Sequence, residues 1–233
     1  SVLTYDASEK ANAMGPSVID PRTGEILEAD IIWWHNVKSL LREWIMVQTG
    51  AYNKAARQYE LPEDMIGDAA RFVACHEVGH SLGLRHNMIA SNAYVTDSLR
   101  SKAFTDKVKG TAASIMDYAR FNYIAQPSDK GVRLTPPTLG IYDEYAIDWL
   151  YRPVPEAADM WEEASIRERF IDEKASDPRF AYGAQQLGSG EYDPSARSED
   201  LGDDPVKAGD YGISNLRYIL SNLNTWITDD PDF

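Results

Sequence analysis

The chain has 233 residues, 43% hydrophobic and 26% charged, enough apolar material for one sizeable core. A formal net charge of -14 and a pI near 4.7 argue against broad contact with nucleic acid phosphates or an anionic membrane surface, which such a chain would repel. The single cysteine, Cys75, excludes an intrachain disulfide and leaves the redox compartment open.

The opening SVLTYDASEK has neither an initiator methionine nor a basic apolar leader, and no uninterrupted apolar run is long enough to span a bilayer. The chain therefore reads as an excised piece of a longer protein, with no membrane insertion in this segment. In PSVIDPRTGEILEADIIWWHN a turn cluster from Asp20 to Gly24 separates two stretches rich in β-branched and apolar residues, which predicts a hairpin. Val37, Leu40, Leu41, Trp44 and Ile45 then recur at helical spacing, with Gly50 as the break. Pro62, Glu63 and Asp64 open a second helix that Gly83 ends. Beyond residue 87 the pattern loosens through TAASIMDYARFNYIAQPSD and a loop at Pro136 and Pro137. GIYDEYAIDWLYRP predicts the next helix, stopped by Pro153 and Pro155, and DMWEEASIRERFIDEK predicts another. GSGEYDPSARSEDLGDDP has the composition of an extended loop, and GISNLRYILSNLNTWI closes the chain as an amphipathic helix.

The second helix carries HEVGHSLGLRH, which holds three of the four histidines of the chain. Residues four apart on an α-helix lie about 40° apart around the axis, so His76 and His80 project from one face. Two imidazoles can thus reach one ion. Glu77 is turned by about 100° from His76, beside the ion's open side, where a general base belongs. Gly83 can take the positive φ that lets the chain leave the helix sharply, so that His86 swings back to complete a three-histidine site. Three ligands on a tetrahedral zinc leave the fourth position for water, the pattern of a catalytic site.

HEVGHSLGLRH resembles the long zinc motif of the metzincin metallopeptidases, and SIMDY, residues 114–118, resembles their Met-turn. The resemblance implies Zn2+ held by His76, His80 and His86, Glu77 as general base and Met116 as the turn methionine beneath the metal. Tyr118 matches the position from which astacin-like and serralysin-like metzincins present a tyrosine to the metal and to the oxyanion. With DPRTGEILEADIIWWHN, GIYDEYAIDWLY and EDLGDD added, most of the chain is similar to the bacterial zinc-dependent metalloproteases of the Met-zincin family. These are known mainly from large secreted or envelope proteins of Bacteroidetes-type bacteria. The implied fold is α+β, a mixed twisted sheet over the zinc helix with a mostly helical C-terminal half. The implied division is a peptidase core over residues 1–152 and a helical extension over 153–233, packed on it as one unit. The implied activity is endopeptide hydrolysis outside the cytoplasm, on a polypeptide bound in extended form. Asn87, the residue after the third histidine, departs from the best-studied metzincin families, so their substrate preferences do not carry over.

Metzincins bind substrate along an edge strand, and GEILEADI is the expected edge. Cys75 is turned away from His76 and reads as a small buried apolar residue; His35, behind two tryptophans, reads as structural. The acidic loop with Glu199, Asp200, Asp203 and Asp204 is a candidate for Ca2+ or, without EF-hand spacing, a solvated loop that caps the next helix. Two rivals remain beside the peptidase: a zinc-containing peptide-binding module of the same fold, and a zinc amidase acting on a non-protein amide. Oligomeric state has no signature in the sequence.

Overall fold

A computed structural model describes residues 2–184 and 193–226. Among these residues four strands, β1 (Val2–Asp6), β2 (Ala13–Met14), β3 (Ser17–Ile19) and β4 (Ile26–Trp34), form a small mixed sheet. The predicted hairpin is β3 and β4, antiparallel with Ser17 opposite Ala29. Its turn is closed by Gly24 N–H donating to Asp20 O, with Gly24 at φ 76°, a backbone state that glycine adopts without steric cost. β4 is flanked on both sides: β1 runs parallel along Asp30–Trp34 while β2 and β3 run antiparallel on the other side. Of GEILEADI, β1 covers only Asp30 and Ile31; Ile26–Ala29 pair with β3 on one side alone, so among the described residues the expected edge survives in that half of the strand and is lost from Asp30 on. β1 is exposed along its whole length, so VLTYD lacks the half-buried alternation that marks a strand in sequence. On the helical side of the sheet the outer edge is residues 13–19.

Among the described residues six α-helices follow: α1 (Val37–Thr49), α2 (Glu63–Ser81), α3 (Lys102–Val108), α4 (Ile141–Tyr151), α5 (Met160–Asp172) and α6 (Pro205–Trp226). Val37, Leu41, Ile45 and Thr49 bury one stripe of α1, and Gly50 caps it as expected. That stripe packs with Ala69 of α2 and with Phe121. A second cluster, Phe72, Leu84, Ile115, Met116 and Ala146, joins α2 to α4 through the chain at residues 114–118. A third gathers Ala112, Ala113, Ile124, Leu201 and Ala208, and so ties loops in the middle of the chain to α6. β2 and β4 lie against α2, so the sheet and the second helix share one side of the molecule.

α6 begins at Pro205, well before the predicted GISNLRYILSNLNTWI. Asp204 accepts from Lys207 N–H as an N-cap and Pro205 supplies the first helical φ. The last residue of that predicted helix, and residues 188–192 of the predicted loop, lie outside the described residues. No helix among the described residues is long and apolar enough to cross a membrane.

Candidate active site

α2 delivers His76 and Glu77, both buried, and His80, one turn on. Gly83 takes φ 91°, the chain reverses, and His86 returns toward the helix. The ligand nitrogens of His76, His80 and His86 all lie within 4.8 Å of one another, the one such group of three among the described residues. His76 Nδ1 donates to Ile115 O at 2.8 Å and His80 Nδ1 to Leu84 O at 2.9 Å. Since a carbonyl only accepts, both rings carry the proton on Nδ1 and turn Nε2 inward as a lone pair.

His80 Nε2 and His86 Nε2 stand 3.1 Å apart. Two ligands bound at 2.0–2.1 Å to a tetrahedral ion stand about 3.3 Å apart, so this donor set fits Zn2+. Burial lowers the pKa of His76 to about 3 and of His86 to about 4, so both rings are neutral at pH 7, the state a ligand needs. Burial also pushes Glu77 up to about 7, a value suited to taking and giving a proton near neutrality. A cation at the histidines would pull it lower.

The chain at 114–118 passes under this helix. Met116 is fully buried, and a β-carbon placed on Gly79 would lie 2.3 Å from its Sδ. The Tyr118 ring lies 5.3 Å from the His76 ring and 4.5 Å from that of His86, centroid to centroid. Burial raises its hydroxyl pKa, which keeps it a donor. The structure thus brings Glu77, Tyr118, Met116 and the three histidines together. Cys75 is partly buried against the cluster of Phe72 and Met116. His35 pairs through Nδ1 with the Tyr5 hydroxyl, apart from the histidine group.

Several residues that hold the site were not singled out from the sequence. Asp143 of α4, fully buried, accepts from Ile115 N–H at 2.8 Å, from Gly140 N–H at 2.6 Å and from Ser114 Oγ at 2.5 Å. Ile115 therefore gives its N–H to Asp143 and its carbonyl to His76. Gly15, between β2 and β3, sits so close that a β-carbon there would be 2.8 Å from Glu77 O and 3.1 Å from Glu77 Oε2. Asn87 donates its backbone N–H to Met116 O, and its side chain bonds Ala181 O and Gly183 N–H. The residue that departs from the better-known families is thus a tie between the turn and the segment near 182. Arg120, two residues after Tyr118, has φ 54° and makes an ion pair with Glu199 at 2.7 Å.

The acidic loop does not present its carboxylates to a shared point. Asp203 accepts from Thr96 N–H and Oγ1, Asp200 from Ser91 Oγ, and Asp204 caps α6, while Glu199 holds Arg120. The calcium expectation is therefore corrected: these groups act as clamps and caps for the protein's own donors.

A family model described as Met-zincin matches residues 58–233, a span that includes every histidine of the site, the turn at Met116 and all helices from α2 to α6. No curated protein and no solved structure matches the chain. On that match, which covers most of the sequence, the chain belongs to the Met-zincin family.

Proposed function

We propose that the chain is a zinc-dependent endopeptidase acting on a polypeptide in extended form. His76, His80 and His86 would hold the zinc, which when bound supplies a water of lowered pKa and polarises the scissile carbonyl. Glu77 takes the proton of the attacking water and returns it to the leaving amine. Tyr118 donates from its hydroxyl to the oxygen on which negative charge develops. The substrate backbone runs along residues 13–19, the sheet edge whose Gly15 abuts Glu77. Residues 1–152 and 153–233 would act as one packed unit, working outside the cytoplasm.

The observation that carries this reading is the convergence of three histidine nitrogens beside a buried glutamate. The test is metal content by elemental analysis together with cleavage of a denatured protein mixture before and after chelation. About one zinc per chain and cleavage abolished by the chelator are expected. Zinc with no cleavage would favour the binding module, and zinc with turnover only of small amides would favour the amidase.

A further inference from the structure

A cavity of about 130 Å³ opens beside Glu77 and His76. Val37, Leu40, Val73 and the Trp44 ring make one part of its wall apolar, His76, Glu77 and Tyr118 make another part polar, and Arg120 is the one Lys or Arg that lines it. The guanidinium is clasped between two rings, with its carbon 4.0 Å from the Trp44 centroid and 4.5 Å from that of Tyr118. The side chain is only 16% exposed.

The backbone adds a second, independent sign. Among the described residues only Lys109, Arg120 and Glu199 are non-glycine residues at positive φ, and the last two are partners in one ion pair. Residues with long side chains avoid this region, so both ends of the pair stand on backbone that the surrounding fold must hold in place. Glu199 is further anchored by donating its N–H to Tyr118 O at 3.0 Å. It engages Nε alone; among the described residues no hydrogen bond occupies Nη1 or Nη2.

We propose that this cavity is a subsite for an acidic side chain of the substrate, Asp or Glu, and that Arg120 sets the selectivity. This rests on the peptidase reading and deepens it. An apolar wall receives the methylenes while the free end of a held guanidinium meets a carboxylate as a two-pronged donor. About four waters' share of liquid volume fits in 130 Å³, which matches the four or five heavy atoms of these side chains. The net charge of -14 would otherwise disfavour acidic substrates, so selection for them requires a local cation of this kind.

The test uses the zinc-loaded full chain and C-terminally amidated peptide hydroxamates that differ only in the side chain beside the chelating group: Asp, Glu, Leu or Lys. Calorimetry should show Asp or Glu binding at least about tenfold more tightly than Leu, the lower end for hydrogen bonds to a charged group. Arg120→Met should erase that preference and Glu199→Gln should keep it. Equal binding of Leu and Glu by the unmutated chain, which needs no variant to fold, would overturn the proposal, as would a preference that survives Arg120→Met. Because the peptides end in amides, no terminal carboxylate competes with the side chain for the guanidinium. Cleavage-site mapping on denatured proteins separates the two readings: acid-selective binding without cleavage fells the peptidase and leaves the subsite, and cleavage with no acidic residue enriched at one fixed position does the reverse.

Discussion

Gly79 and Met116 are in contact through the one place on α2 where a side chain could not fit: a β-carbon on Gly79 would lie 2.3 Å from Sδ. The glycine sits between His76 and His80, so the same turn of helix that aims two imidazoles upward rests its bare backbone on the methionine. Gly79→Ala should cost about 1–3 kcal/mol by overpacking, and Met116→Ala about 2–5 kcal/mol through the cavity it leaves. Shortening residue 116 removes the obstacle to a β-carbon at 79. The double variant should therefore be less destabilised than the two single losses together, which four thermal melts would show; strict additivity would mean the contact is not what confines the helix.

Asp143 reaches the three-histidine cluster without touching a histidine. Its carboxylate fixes the Ile115 peptide, whose carbonyl fixes the His76 ring. Asp143→Asn replaces one acceptor oxygen by an NH2 facing N–H and O–H donors, so the peptide should shift and His76 lose its orientation. Competition against a chelator should show zinc held about 10–100-fold more weakly, the range for removing a group that orients a ligand. Unchanged zinc affinity would reduce Asp143 to a cap of α4.

What was legible in the sequence follows the range of the interactions. The hairpin, α1, α2, α4 and α5 announce themselves through turn residues and periodicity, and the three histidines through spacing on one helix face, all local signals. The first turns of α6 were hidden because KAGDYG is polar and glycine-containing, and its start is set by a cap at Asp204 rather than by an apolar stripe. β1 was hidden because it stays exposed and is defined by its parallel neighbour. Asp143 meets Ile115 across 28 residues and Arg120 meets Glu199 across 79, and neither pair has a pattern of its own in the chain. Gly15 matters only because folding lays it on Glu77.

Glu77 and Tyr118 should separate binding from turnover. Glu77→Gln keeps shape and leaves the three histidines untouched, so zinc content should hold while peptide cleavage falls by about 10²–10⁴-fold, the worth of a positioned proton carrier. Tyr118→Phe removes one donor to a developing charge and should lower kcat by about 10²–10³-fold with KM little changed. Cleavage that survives Glu77→Gln would show that another group takes the proton.

Asp200 makes stability depend on pH in a direction opposite to Asp97, Asp106 and Asp129. Burial raises its pKa from 3.8 to about 6, against the smaller opposing pull of its hydrogen bond from Ser91. Asp97, Asp106 and Asp129 are held below their usual range by basic partners, so they favour the fold once ionised. For Asp200 the folded state holds the proton more tightly than the unfolded chain does. Its contribution is therefore full below about pH 4 and lost as pH rises through about 6, leaving a half-buried charge at neutral pH. Asp200→Asn keeps an acceptor for Ser91 Oγ and removes that charge. Urea melts of both proteins should show nearly equal stability near pH 3 and a gain for the variant that grows between about pH 4 and 6, then levels off. A gain already at full size by pH 4, or one that continues to grow above pH 8, would place the titration elsewhere. Solvent at the partly exposed carboxylate limits the plateau to about 1–2 kcal/mol.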